Sequence, residues 1–588
     1  MMDGSLDAMT HKFSTVDYIV FILMLVCSSG IGVFYAIKGR KNESSKEFLT
    51  ANKSLNWFPV SMSLLASFQS SVTILGYPAE MYTKGTQFWV VILSAVFASI
   101  TAAELFLPVY FNLSFTSVNR YLTMRFNRDN VRLASSMAFL LGTVPYMGVV
   151  LYGPSLALSS VTPLSVTASI LIIGIICTFY TSLGGIRAVV WTDTMQVGLM
   201  YIGLIAVMLR AFYLVGGIGE AFRIAYERGR IEFTNFDLDV SKTNNFWNSV
   251  LGMGIMWCGN YCTTQTEVQR YCNTQSQKKA KLALYVNLVG VILMISCACL
   301  CGIGVFAYYA DCDPLKAGKI SKTDQLMPYF VMDTMSEFKG LPGIFVTCVF
   351  SASLSTLSSG FNALSAVTWD DFLKETRLGC LSEQHQKNFN KMTAIFYGIL
   401  SILMAFIVGQ IGSVLKAAIS LAGCLIGPLL GIYLSAILCP FANSKGVISG
   451  LLSGVSFGFW VLIGSLVYPA DDDFKETSLT GCPPFFISNS TLIVDEVIES
   501  QPFFIKLYQI AFLLVPVSGF IICLFVSFVA SLLTGGLNDV KHVDPNTLSP
   551  LVWKIWPESL LPAKLTNVKD KEFADISIGG TNCETLIT

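Results

Sequence analysis

About thirteen apolar runs, each near the 20 residues a helix needs to cross a bilayer, follow one another along this chain. They cover 17–37, 57–78, 88–111, 131–159, 164–183, 192–214, 246–265, 280–309, 341–372, 392–408, 413–439, 446–467 and 507–533. In lipid, backbone groups must bond within their own segment or in a closed barrel. Runs of this length therefore fold as helices, and the expected class is an all-α polytopic membrane protein. Composition agrees: 53% of residues are hydrophobic and 13% charged, against about 25% charged in soluble domains. The formal net charge is zero, which points to no polyanion partner, and no nucleic-acid motif appears. Three histidines in the chain argue against a His-based metal or acid–base site. No nucleophile–base or metal constellation marks an enzyme. The sixteen cysteines fall mostly inside apolar runs, where they read as small buried apolar residues.

The run 341–372, LPGIFVTCVFSASLSTLSSGFNALSAVTWDDF, is unusual for its hydroxyls: Ser351, Ser353, Ser355, Thr356, Ser358 and Ser359. On a helix, Ala352, Ser355, Thr356 and Ser359 share one stripe. A Ser or Thr hydroxyl sits near the carbonyl one turn back, so Ser355 and Thr356 are expected near the Ala352 carbonyl. Two readings stand. Small hydroxylated residues glue membrane helices together. Equally, a cluster of neutral hard oxygens without a carboxylate suits a singly charged cation.

Basic residues in short loops set the orientation. Lys38, Arg40, Lys41, Lys46 and Lys53 follow the first run. Arg120, Arg125, Arg128 and Arg132 surround the start of the fourth, Arg270, Lys278, Lys279 and Lys281 precede the eighth, and Lys374, Arg377, Lys387 and Lys391 precede the tenth. All lie on one side, which places the N-terminus outside and the C-terminus in the cytoplasm, with the plasma membrane as the expected location. The start, MMDGSLDAMTHKF, lacks the cationic n-region of a signal peptide. Sequons occur at Asn42, Asn52, Asn112 and Asn489. Only Asn489 falls in an outer loop, where an acceptor must lie. Cys312 and Cys482 are the two clearest outer-loop cysteines. They can pair or stand as two thiols, since sequence alone sets no Cα distance.

Two runs look broken. One carries Ser67, Gln69, Ser70, Ser71 and Thr73 at its centre; the other carries Gly252, Gly254, Gly259 and Asn260. Packing of close helices accounts for such residues, but interrupted helices in matching positions of two halves also mark transporter binding sites. The two are five runs apart. The expected organisation is an extracellular N-terminus (1–16), an extra helix (17–37), two inverted five-helix repeats (57–214 and 246–439), two further helices with the glycosylated loop (446–533), and a cytoplasmic tail (534–588).

The residues that follow resemble the sodium/solute symporter family: FLTANKSLNWFPVSMSLLASFQS, YLTMRF, GGIRAVVWTDTMQ, VQRY, DQLMPYFV, SASLSTLSS and GPLLG, in that order. ASFQSSVTILGYPAE and TVPYMGVVLYGPSLAL are similar to the branch of sodium–iodide, sodium-coupled monocarboxylate and multivitamin transporters. The resemblance implies a LeuT-type inverted five-plus-five repeat and uptake driven by Na⁺, which acts as coupling ion. It implies a sodium site from the carbonyls of Ala66, Gln69 and Ala352 and the hydroxyls of Ser355 and Thr356. Asp193 matches the family aspartate on the sodium exit path; as a bare residue it reads equally as a helix N-cap or a partner for Arg187. Beside the broken runs, Phe68, Gln69, Ser70, Thr73, Tyr146, Tyr152, Trp257 and Tyr261 are candidate substrate residues, although Tyr146 and Tyr152 read first as packing. Lys416 departs from the branch, where an uncharged residue stands. An intramembrane lysine is a candidate functional residue, and snorkelling to the outer surface is the competing reading.

The expected function is a sodium-coupled symporter importing a small organic anion, such as a monocarboxylate or vitamin carboxylate. The alternatives are an inorganic-anion or neutral-solute symporter, or a sensor or channel on the same fold. No charged selectivity ring or filter favours a channel, and the tail after Gly536 is too short for an ordinary signalling domain. The terminal ETLIT fits a PDZ partner only loosely, because the last residue is Thr.

Overall fold

The computed structural model describes residues 13–39, 55–113, 117–183, 186–409, 412–470, 473–482 and 503–562. Within them the chain is helical, and its only β pairing is an isolated bridge between Leu55 and Thr274. The main helices are α1 (Thr15–Gly39), α2 (Trp57–Phe68), α3 (Tyr77–Lys84), α4 (Thr86–Leu113), α5 (Arg120–Phe126), α6 (Asp129–Val161), α7 (Val166–Leu183) and α8 (Ile186–Val215). They continue as α9 (Ile218–Glu227), α10 (Phe246–Thr263), α11 (Gln265–Cys272), α12 (Gln277–Tyr308), α13 (Leu326–Met335) and α14 (Leu341–Leu373). The last are α15 (Glu383–Val408), α16 (Val414–Leu438), α17 (Ser444–Val467) and α18 (Val515–Leu533). Among the described residues, nine helices are long and apolar enough to span a membrane, or ten with α2 and α3 taken as one bent span.

Lipid and core faces separate along each helix. On α15, Met392, Phe396, Ile399, Leu403 and Ile407 are all more than half exposed, and their spacing makes one outward stripe. With lipid as solvent, that exposure is favourable. The Ser-rich α14 is the reverse: 89% of its most apolar window is buried, and it packs against α1, α6, α8 and α15. It is the central pillar. Close approach is bought with glycine: a Cβ on Gly203 of α8 would lie 2.3 Å from Cβ of Cys348 on α14, and one on Gly427 of α16 would lie 2.1 Å from the Pro516 carbonyl of α18. Small residues of this kind let membrane helices pack backbone to backbone.

Both suspect runs are interrupted. Between α2 and α3 the chain bends by 59°; Gln69 is extended (φ −88°, ψ 121°), and a π-helical turn, Val72–Gly76, leads into α3. Between α10 and α11, Thr264 is extended (φ −86°, ψ 139°). Three arginines expected in solvated loops are instead buried. Arg125 donates to the carbonyls of Ala436, Cys439 and Pro440, Arg132 pairs with Glu375 at 2.9 Å, and Arg270 lies within α11. Loop charge alone did not show that these guanidiniums cap carbonyls and bury in ion pairs. Cys312 and Cys482 form a disulfide, Cα atoms 4.9 Å apart. Asn42, Asn52, Asn489 and the terminal ETLIT lie outside the described residues, whereas Asn112 is exposed near the end of α4.

Candidate functional site

A helix that stops in the membrane leaves its last carbonyls without amide partners. At the end of α2 those of Ser67 and Gln69 turn towards α14, where the Thr356 hydroxyl lies 3.2 Å from Ser67 O, 3.4 Å from Gln69 O and 3.0 Å from Ala352 O. One hydroxyl carries one proton, so it can serve only one of these three acceptors at a time. The cluster is rich in lone pairs and short of protons, which is what a hard monovalent cation needs. All its members are buried. Thus the structure brings together Gln69, Ala352 and Thr356. The Ser67 carbonyl joins them, and Ala66, one residue earlier, is equally buried.

Ser355 points elsewhere. Its hydroxyl donates to Asp193 Oδ1 at 2.6 Å rather than to the Ala352 carbonyl, and Ser63 donates to Asp193 Oδ2 at 2.5 Å. Asp193 sits inside α8, one full turn or more from its start, so it caps no helix. It is completely buried, and Arg270 Nη2 lies 3.6 Å from its Oδ2. Arg270 also donates to the Ser359 hydroxyl, which faces the Ser67 hydroxyl at 3.0 Å. A continuous polar path therefore runs from the α2 break along α14 to the α11 guanidinium.

Beside this path lies a cavity of about 110 Å³. Phe68, Ser70, Thr73, Tyr146 and Trp257 line it, with Met147, Met253, Met256, Asn260, Thr266 and Glu267. Thr356 belongs to the same wall. No Lys, Arg or His is among the lining residues. Tyr261 is one layer back: its ring stacks on Phe68 with centroids 4.8 Å apart, and its hydroxyl accepts from Asn287. Tyr152 does not reach the cavity. It holds the Lys322 ammonium, at 3.0 Å from its hydroxyl, so it is not a wall of this pocket. The sequence reading missed Ser63, Ser67, Arg270, Glu267 and the three methionines. Arg270 sits in the VQRY motif, so a signal was present; the methionines had none.

Lys416 lines a second cavity of about 280 Å³, with Glu80, Lys84, Lys322, Asp324, Ser413 and Ser420. The two cavities share a partition. Gly76, in the wall of the second, packs so tightly on Leu415, in the wall of the first, that an added Cβ would sit 3.1 Å from Leu415 Cβ. Successive residues of α16 face opposite sides: Leu415 and Ile419 towards the first cavity, Lys416 and Ser420 towards the second.

The comparisons with known proteins decide the family. The family model described as "SSF: Sodium:solute symporter family" matches residues 48–454. The chain belongs to the sodium:solute symporter family. It is 41% identical over 541 residues to sodium-coupled monocarboxylate transporter 1 of Xenopus laevis, covering 90% of this chain and 87% of that protein. It is 40% identical to sodium-coupled monocarboxylate transporter 2 of Mus musculus, covering 92% and 87%. It is 38% identical to the sodium-dependent multivitamin transporter of Oryctolagus cuniculus, covering 95% and 88%. Among solved structures, the substrate-bound outward-open state of a Na⁺-coupled sialic acid symporter superposes with a TM-score of 0.68 at 21% identity, covering 89% of this chain and 98% of that one. The fold is therefore LeuT-like, and the protein is a multi-pass, sodium-coupled symporter that moves a solute rather than transforming one, with Na⁺ as its coupling ion.

Outside the spanning helices, one titration is accessible to test. Asp324 is buried, and burial, aided by the nearby Glu80 charge, raises its carboxyl to about 6 despite the Val414 N–H and Lys322. Its folded value lies above its unfolded value of about 3.9. The folded chain thus binds this proton more tightly, so this group's contribution to stability is fully present below about pH 4 and is lost as pH rises through about 6. Relative to Asp324→Asn, the wild-type melting temperature in detergent should fall over that window and run parallel above about pH 7. Parallel curves throughout would show that Asp324 titrates as it does when unfolded.

Proposed function

We propose that this symporter imports a small organic anion, a short monocarboxylate or a vitamin carboxylate, by alternating access at the central cavity. One observation carries the reading: the cavity lining holds no cationic side chain, yet Thr356 of the oxygen cluster stands in its wall. An anion there would be unpaired in a low-dielectric interior, at a cost of several kcal/mol, roughly, unless a cation accompanies it. Sodium held by Gln69, Ala352 and Thr356, with Ser67, Ser355 and Ala66 around it, supplies that charge. Coupling then follows from electrostatics: the anion is not stable in the site without sodium. The relatives' names, sodium-coupled monocarboxylate and multivitamin transporters, support the same solute class. Phe68 and Trp257, 5.3 Å apart and edge to face, with Met147, Met253 and Met256, give an apolar wall for a short aliphatic tail. Ser70, Thr73, Asn260 and Tyr146 give donors for the carboxylate. Asp193, bonded to Ser355, continues the path by which sodium leaves. The positive-inside bias puts the N-terminus and the Asn489 loop outside and the C-terminus within the cytoplasm.

Uptake of labelled lactate, pantothenate, biotin, iodide, myo-inositol and glucose, with and without sodium, tests the reading. Carboxylates should enter and only with sodium; entry of neutral solutes alone would sink it. Thr356→Ala removes a hydroxyl worth about 0.5–1.5 kcal/mol, so half-saturating sodium should rise roughly two- to tenfold, with substrate affinity falling secondarily. Unchanged sodium dependence at normal surface expression would remove Thr356 from the site.

Lys416 is proposed to draw the anion into the second cavity, on the outer side. Among the described residues no carboxylate lies within 4.0 Å of its ammonium. Lys416→Gln should weaken apparent anion affinity about threefold at low salt, less at high ionic strength, and leave sodium affinity unchanged. Identical kinetics in both salts would mean that the lysine only snorkels.

A further inference from the structure

Between α9 and α10 the chain from Arg230 to Asn245 runs without a helix, as a strap across the ends of other helices. It is pinned along its length. The Thr86 hydroxyl, at the start of α4, donates to the Glu232 carbonyl at 2.9 Å and accepts the Glu232 N–H at 2.8 Å. The Asn235 N–H donates to the Gln87 side chain, and the Ala511 N–H, ahead of α18, donates to the Val240 carbonyl. Asn245 and Asn248, at the start of α10, both donate to the Asp239 carbonyl. The buried Arg230 guanidinium fixes the near end on the carbonyls of Thr83, Lys475 and Glu476.

The side chains of the strap divide by position. Asn235, Asp237 and Asp239 each accept the N–H two residues on, at 3.1, 3.2 and 2.9 Å, and Lys242 pairs with Asp237 at 2.8 Å. Such turns satisfy the backbone locally. The residues that alternate with them are Phe236, Leu238 and Val240, which are 54%, 75% and 53% exposed. Apolar side chains held uncovered on a fixed segment mark an interaction face. Its neighbours say what it meets. Phe236 packs on Phe246, and Phe246 on Trp247, with ring centroids 4.9 and 5.3 Å apart; Phe233 lies 6.2 Å from Trp89 of α4. One and two turns further in, α4 exposes Leu93 and Phe97, and α10 exposes Leu251. Aromatic rings gather where a spanning helix leaves the bilayer. The apolar face of the strap is thus continuous with the lipid-facing surface of α4, at the level where that span begins.

We propose that this strap is a membrane anchor: Phe233, Phe236, Leu238 and Val240 insert among the headgroups and upper acyl chains of the adjacent leaflet, while Asp237, Asp239 and Lys242 stay in water. The leaflet is the one on the side of the Cys312–Cys482 disulfide, because Arg230 holds the segment that carries Cys482. In the orientation proposed above it is the outer leaflet. The anchor has a consequence for the solute site. The Asp239 carbonyl holds the first turn of α10, and α10 brings Met253, Met256 and Trp257 to the cavity wall. Lipid contact at the strap therefore sets the height at which the start of α10 is held.

Tryptophan substitution in the full chain, reconstituted into liposomes, tests the anchor. Phe236→Trp, Leu238→Trp and Asp237→Trp are each measured in plain phosphatidylcholine and in phosphatidylcholine brominated near the headgroup, with the wild-type emission subtracted. The added emission of Phe236→Trp and Leu238→Trp should be quenched by the brominated lipid at least about threefold more than that of Asp237→Trp. Aqueous iodide should quench them in the reverse order. Val240→Trp takes the place of either apolar-site variant that does not purify as a folded protein. Equal quenching at all three positions by brominated lipid, or quenching of Leu238→Trp by iodide alone, overturns the anchor and leaves the strap in water. Quenching of Leu238→Trp by neither agent also overturns it, because protein then covers the face.

Discussion

The meeting of the α2 end with the hydroxyl stripe of α14 governs the rest of the molecule. A helix cannot end inside a bilayer unless the groups it frees are served by protein, water or ion. Gln69 ends α2, and the freed carbonyls find a single hydroxyl, Thr356, already within reach of Ala352. That arrangement satisfies the backbone poorly when alone and well with a small cation present. Everything nearby serves to keep it in place. α14 is the most buried long helix because its hydroxyls need protein on every side. Gly203 lets α8 approach α14 closely enough for Asp193 to take the Ser355 hydroxyl.

The cavity beside this cluster has no positive side chain in its lining, so on the proposed reading the ion is part of the solute site rather than a remote regulator. An anion that relied on a fixed lysine would bind without sodium and leak. One that relies on a mobile cation moves only in its company. The differential affinity that alternating access requires is then built into the charge balance. Lys416 and Lys322, by contrast, face the other side of the Gly76–Leu415 partition, where attraction of an anion costs no coupling.

Much of this was legible in the residues. Helical spans follow from run length, because lipid leaves the backbone no alternative. The break in α2 shows in Ser67, Gln69 and Ser70, polar residues with no reason to sit mid-membrane. Ala352 and Thr356 follow from helical spacing. What spacing cannot give is rotamer choice: Ser355 lies on the same stripe yet turns to Asp193, a residue 162 positions away. Nor does it give depth. Arg270 reads as a loop cation because positive charge normally marks the cytoplasmic edge; its burial depends on Glu267, one turn away on the same helix, and on Asp193, which only the fold brings near. Tyr152 shows the converse, an aromatic in the right helix but turned to Lys322 instead of the cavity.

Equilibrium binding of labelled lactate to the purified protein, titrated with sodium at constant ionic strength with choline as replacement, tests the central claim most directly. If sodium is the counter-charge, lactate affinity should rise by at least about tenfold for each tenfold rise in sodium below saturation. Binding in choline alone should be negligible. Lactate bound with the same affinity in choline as in sodium would show that a fixed group holds the anion, and would contradict the account.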